Sequence, residues 1–506
     1  MACRLLVSAL TLPAGVAAAQ QAAPPPDLQE RATKAQEALQ AGRLDEAIPL
    51  LESLARDLPA ETSIHLNLGM ALTLSGQAGK AIAPLQRAVT GDPDLLPANL
   101  FLGLAYVESG APDKAVAPLE KVLTLDRDNP YARQALAQAF GLLEQPDRAA
   151  EQYEALRRAN PNDPQLLAAA GRAYEDVARA AFAALQELDP DSPHVWLLVA
   201  DVLTVQERYP QAFELLRRAE EALPGFPGIH ESVARVYAAS GHDEWAAAER
   251  QKAETSRPDC AKLPVACAYL EGNYAEALRR TRGATSAAAL YWRARAANEL
   301  AAQAFAALDT LPPSVERHLV RADIYRSQGE ALPAAEELRK ALALSPGDRR
   351  IERDLAGALF AARKTDEALP LLKKLLEASP NDAELAVGYG EMLVQTQQMD
   401  EAVPVLTRAL DARPDLLPGH SALGRALLAK GDAAAAVPHL EKALPTDGDG
   451  SLHYQLAQAY QRTGQPERAK AMLAKYRELQ QAAQPPADAS ADTEGTPASS
   501  IRPPAP

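Results

Sequence analysis

Gly42-Arg43-Leu44-Asp45-Glu46-Ala47 returns as Gly76-Gln77-Ala78-Gly79-Lys80-Ala81 and again as Gly110-Ala111-Pro112-Asp113-Lys114-Ala115. The interval is 34 residues both times. A fixed period of this length is the mark of stacked repeats, each one too small to bury its own apolar face. With Leu28 as position 1, units begin at 28, 62, 96, 130, 164, 193, 227, 258, 287, 315, 349, 383, 417 and 450. Those at 164, 258 and 287 are short.

Columns of this register carry physical meaning. Position 20 is Ala in twelve units, from Ala47, Ala81 and Ala115 to Ala436 and Ala469. Position 8 is Gly or Ala in all units but one, where Val265 stands. Two small side chains per unit let two antiparallel helices come close, and a large residue at position 24 (Leu51, Leu85, Leu119, Leu372, Leu406) fills the space beside them. Gly at position 15 (Gly42, Gly76, Gly110, Gly241, Gly329, Gly431) suits a left-handed residue between helices. Pro at position 32 (Pro59, Pro93, Pro161, Pro346, Pro380) marks where a second helix stops. Asp45, Asp113, Asp147, Asp366 and Asp400 stand where the second helix needs an N-cap acceptor, which puts Pro49, Pro370, Pro404 and Pro438 in its first turn.

Composition agrees. Of 506 residues, 47% are hydrophobic but only 5% aromatic, so the apolar mass is Ala and Leu, the best helix formers. Strand-forming residues are thin, which disfavours a β or α/β fold. A formal charge of −15 opposes binding to a phosphate backbone, so nucleic acid is not an expected partner.

Small residues at 8 and 20, an aromatic residue at 11 (Tyr106, Phe140, Tyr174, Tyr237, Tyr325, Tyr460) and Pro at 32 resemble the tetratricopeptide repeat. The resemblance runs over residues 28–481. The family's Trp at position 4 is kept only as Trp196. It implies an all-α fold, a right-handed superhelix (α-solenoid) of about 14 helix pairs. Positions 2, 5, 9 and 12 of each first helix would line a concave groove that holds peptides or helices of partner proteins. Here that groove would be apolar early, at Leu66, Met70, Leu100, Leu104 and Val107. Position 9 then turns charged, at Arg172, Asp201, Arg235, Arg295, Asp323, Glu391 and Arg425. Either these charges pair between neighbouring units or they set the register of a bound segment. The Lys and Asn of a carboxylate clamp are missing: position 5 reads Ala32, Leu66, Leu100 and Gln134.

The chain divides into a signal peptide (1–19), a Pro-rich linker (20–27), regular units (28–163), an irregular block (164–314), regular units again (315–481) and a polar tail expected to be disordered (482–506). Arg4, an interrupted apolar run and Ala17-Ala18-Ala19 fit a secretory signal, with an ordinary Ala-rich terminus as the alternative. A periplasmic or secreted location would follow. No stretch is long and apolar enough to span a bilayer. In the irregular block, Ala181-Phe182-Ala183-Ala184-Leu185 returns as Ala304-Phe305-Ala306-Ala307-Leu308, which reads as a duplicated set of units. Cys260 and Cys267, split by Pro264, form either a disulfide or two buried free thiols.

No nucleotide-binding loop, metalloprotease motif or nucleophile elbow occurs, and the eight His are scattered over different units. No cofactor, metal site or catalytic residue is expected, and repeats, leader and tail leave no segment for a catalytic domain. The sequence therefore points to a non-catalytic interaction scaffold in envelope or secretion assembly. The regulatory or substrate-binding arm of an enzyme complex, and a self-assembling solenoid, are the alternatives. The oligomeric state is not legible.

Overall fold

A computed structural model describes residues 26–483. The expected signal peptide, most of the linker and nearly all of the tail lie outside that range. Pro26 and Asp27, assigned to the linker, already belong to the first helix, and the last helix reaches Ala483. Every regular element among the described residues is helical. Two compact units divide between Leu311 and Pro312.

The first unit opens with four helical hairpins: α1 (Pro26–Gln40) and α2 (Leu44–Asp57), α3 (Thr62–Leu74) and α4 (Ala78–Gly91), α5 (Leu96–Glu108) and α6 (Pro112–Leu125), α7 (Pro130–Leu142) and α8 (Pro146–Ala159). A single long helix follows, α9 (Pro164–Leu188). Three more hairpins come next: α10 (Pro193–Val205) and α11 (Tyr209–Ala222), α12 (Ile229–Ala239) and α13 (Asp243–Thr255), α14 (Pro264–Leu270) and α15 (Tyr274–Arg280). A second long helix, α16 (Ala287–Thr310), ends the unit.

The second unit holds five hairpins. They are α17 (Val315–Ser327) and α18 (Ala331–Leu344), α19 (Arg349–Ala361) and α20 (Thr365–Ala378), α21 (Ala383–Gln395) and α22 (Met399–Ala412), α23 (Leu417–Lys430) and α24 (Ala433–Ala443), α25 (Ser451–Arg462) and α26 (Pro466–Ala483). Twelve hairpins and two long helices thus replace the fourteen pairs expected.

Within a hairpin the small-residue rule is a contact rule. All twelve position-20 alanines are buried. A methyl group added to Gly69 would meet Leu85 Cγ at 2.3 Å, and one on Gly103 would meet Leu119 Cγ at 2.4 Å. Gly390 against Leu406 and Gly424 against Leu440 repeat this geometry. Position 8 therefore packs on position 24 of its own unit, sixteen residues ahead. Gly42, Gly76 and Gly110 turn between the helices with positive φ.

The second helices begin one residue earlier than expected. Asp45, Asp113, Asp147, Asp366 and Asp400 lie inside the first turn, and the N-cap residues before them form no side-chain cap. Their charge still favours the positive helix end. Side-chain caps occur elsewhere, mostly on first helices, at Asn129, Asp163, Ser192, Asn273, Ser314, Asp348, Asp382 and Asp432. Pro49, Pro370, Pro404 and Pro438 consequently fall beyond the first turn. Each frees a carbonyl four residues earlier, on exposed Asp45, Asp366, Asp400 or Ala434, where water can reach it.

The units at 164 and 287 depart furthest from the register. Each lacks the residues of the turn, and neither helix contains a Gly or Pro where the turn would be. The Ala-rich chain stays helical throughout, about 37 Å for α9 at 1.5 Å per residue. Such a helix cannot fold back on itself: the residue sixteen after Gly171 is exposed Glu187, far along the same rod. Gly171 instead packs on Phe305 of α16, whose ring a methyl group there would meet at 2.2 Å. Ala173, Tyr174, Val177 and Ala178 share a core with Ala297 and Ala301. Ala181 and Leu185 share another with Leu290, Tyr291 and Ala294. The helices are antiparallel, and each half completes the hairpin that the other helix's half has lost. The repeated Ala-Phe-Ala-Ala-Leu segments belong to these mutually paired rods. Beyond them, Arg282 and Arg293 form ion pairs with Glu151 and Asp147 of α8.

Candidate partner-binding groove

The apolar candidates lie on α3 and α5. Leu66, Leu104 and Val107 are half-buried and border one continuous core. Met70 and Leu100 are buried within it. Only the first three, with half-buried Tyr131 of α7, therefore offer side chains to a partner; the other two support them from below.

The charged candidates separate into three groups. Asp201 of α10 accepts ion pairs from Arg235 of α12 at 3.2 Å and Arg295 of α16 at 3.3 Å. Glu391 of α21 pairs with Arg425 of α23 at 3.1 Å, one repeat apart. Asp323 pairs with Arg326 on its own helix, and Arg172 is half-buried on α9. Inter-unit pairing thus accounts for Asp201, Arg235, Glu391 and Arg425, all partly exposed.

Arg295 is not a groove residue: it is 4% exposed. Its guanidinium donates to Tyr291 Oη at 2.8 Å, Tyr269 Oη at 3.1 Å and Ser232 Oγ at 3.1 Å. Buried charge is costly unless paired and hydrogen-bonded, and here it is both. Around it, Tyr291 and Trp292 of α16 touch Phe226, while Trp292 meets Tyr269 and Tyr291 meets His194. Residues 290–297 are buried on every side. The amino-terminal half of α16 is therefore enclosed by α9 and by the first helices α10, α12 and α14. It meets His194 at position 2, Asp201 at position 9 and Tyr269 at position 12, so groove positions of the central block are occupied by the chain's own helix. Register alone could not reveal this, because it required knowing that α16 returns to α9.

Position 4, where the family has Trp, is a polar joint. His65, Asn99, Arg133 and His420 each donate to, or share a proton with, the carbonyl six residues earlier, at 2.8–3.1 Å. His230 meets Glu249 at 2.8 Å, His318 meets Glu337 at 2.6 Å, and His420 meets His439 Nδ1 to Nδ1 at 2.8 Å. The scattered histidines thus join helices. Burial, helped by the charges of His420 and Lys442, holds His439 below the ordinary imidazole value. A base depressed in the fold binds its proton more readily when unfolded, so its contribution is complete above the unfolded value near pH 6.5 and is lost as pH falls below it. Acidification from pH 7 to 5 should loosen α23 and α24, by at most about 1.4 kcal/mol per pH unit from this group. Amide exchange in those helices should show a shallower pH dependence in His439→Gln; an equal slope would remove His439 as the cause.

Cys260 and Cys267 are joined in a disulfide across the turn before α14, with Cα atoms 5.6 Å apart. The turn is shaped by Asp259, whose carbonyl accepts from the N–H groups of Lys262 and Leu263 and whose side chain accepts from Ala261. Pro264 starts α14. Among the described residues no group of three or more His, Cys, Asp or Glu could hold a metal ion, and no helix is long and apolar enough to cross a membrane.

Comparison with known proteins agrees with this repeat. Two family models, both described as tetratricopeptide repeat, match the chain: one at residues 72–139, 106–173, 359–426 and 427–489, the other at 33–95 and 176–227. The spans leave out 228–358, which holds the short hairpin and α16. No curated protein matches. Similar solved structures include the MamA protein (22% identity, 29% of this chain and 81% of that one, TM-score 0.28). MamA from Desulfovibrio magneticus matches at 19% identity over 35% of this chain and 100% of that one, TM-score 0.31. A tetratricopeptide repeat protein from Parabacteroides merdae matches at 14% identity over 66% and 98%, TM-score 0.31. With matched spans covering more than half of its length, and with the 34-residue hairpins those models describe, the chain belongs to the tetratricopeptide repeat family.

Proposed function

We propose that this protein is a non-catalytic interaction scaffold whose amino-terminal groove takes an amphipathic helix from partner proteins, in the assembly of envelope or secretion complexes. The observation that carries the reading is the half-buried apolar strip Leu66, Leu104 and Val107, seated on a fully packed core. Apolar side chains held rigidly at the surface are what a helical ligand's stripe needs. The helical form of the ligand is supported by α16, a helix that this chain seats on corresponding positions of its own central block. The Arg4-to-Ala19 leader supports a periplasmic or secreted location.

Leu66→Asp combined with Leu104→Asp should abolish capture of native partners from an envelope fraction, at least tenfold for each. Because both residues are half-exposed, the melting curve should barely move; Leu100 is unsuitable, being part of the core. Undiminished capture by the double variant would refute the groove assignment. Fusing residues 1–25 to a reporter active only outside the cytoplasm tests the location separately.

A further inference from the structure

Position 10 of the register reports whether a first helix has a neighbour in front of it. Ala71, Ala105, Ala139, Val236, Ala358, Met392, Ala426 and Ala459 occupy it and are all buried. Each sits on a first helix packed against the second helix of the preceding hairpin. Glu37, on the first helix of the chain, is exposed and polar, as an end face should be. Val202 holds the same place on α10, yet it is 55% exposed, and Val205 one turn on is 65% exposed. The cause is the lost turn in α9. Its second half runs on to pair with α16 and does not fold back to stack in front of α10, so α10 carries an interior-type face with nothing on it.

We propose that this face of α10 is a second docking surface, distinct from the groove, and that its occupant is an amphipathic helix of another protein with a stripe of small and leucine side chains. The chemistry of the occupant is read from the chain itself. Wherever position 10 is buried in a regular hairpin, what lies before it is a second helix carrying Ala at position 20 and usually a large apolar residue at position 24, as in α2 with Ala47 and Leu51. Two valines one turn apart present a rigid ridge that such a stripe fits at low entropic cost.

The probe is a fluorescein-labelled peptide copying Leu44–Asp57, held helical by a lactam bridge between solvent-facing positions, titrated into the full chain by fluorescence anisotropy. Saturable binding that weakens at least tenfold in Val202→Asp, and is unchanged in Leu66→Asp with Leu104→Asp, supports the proposal. Binding that survives Val202→Asp, or no binding up to millimolar protein, overturns it. Light scattering is run alongside: self-association of the full chain that Val202→Asp abolishes would assign the face to a second copy and also overturn it. Because Val202 and Val205 are exposed, Val202→Asp should melt like the parent, which separates lost binding from lost fold.

Discussion

Tyr291→Ala should destabilise the first unit by about 4 kcal/mol, the usual cost of emptying a large aromatic site in a close-packed core. Tyr291 is the largest side chain with no exposure, and its ring lies against His194, Phe226 and Trp292. Its hydroxyl also accepts from the buried guanidinium of Arg295 at 2.8 Å. Tyr291→Phe separates these effects: it keeps the ring and should cost about 2 kcal/mol, the range for a lost hydrogen bond to a charged group. Urea unfolding followed by tryptophan fluorescence reads both, because Trp196, Trp245 and Trp292 all lie in the first unit. A loss under 1 kcal/mol for Tyr291→Ala would mean that α16 is not enclosed as described.

The second large effect concerns α9. Asp176→Pro should cost about 3 kcal/mol, since proline in a helix interior removes a hydrogen bond and clashes with the preceding turn. Asp176 is exposed and its only printed pairing is with Arg179 on the same helix, worth about 0.3–0.5 kcal/mol. Nearly all of the loss would therefore report helix continuity. The register places the missing turn close to this residue. If residues 164–188 formed a hairpin like the other units, proline there would be tolerated, as Pro112 and Pro146 are at helix starts. An unchanged urea midpoint for Asp176→Pro would thus rule out the continuous rod and, with it, the exchange between α9 and α16.

Both predictions fall in the irregular block, and that is also where the sequence was least legible. In the regular units the hairpin could be read directly: the alanines at 20, the glycines at 8 and the leucines at 24 are local partners, sixteen residues or fewer apart, so periodicity and side-chain size identify them. The N-caps were misjudged by one residue, because Asp suits a first turn nearly as well as a cap. The groove was legible as a face but not as an accessible one. Leu100 and Leu104 share the same helix and residue type, and only packing makes the first core and the second surface.

The sequence by itself determined the class of fold, the period of the repeat and the pair of small residues that lets each hairpin close, because all three depend on interactions within about one unit of chain. The tertiary structure alone decided who completes the units that lack a turn. A straight helix has no local partner for its own faces, so Gly171 had to find Phe305 at a distance in sequence that no period announces. That one long-range pairing buries Arg295, fills the central block with α16 and leaves Val202 bare.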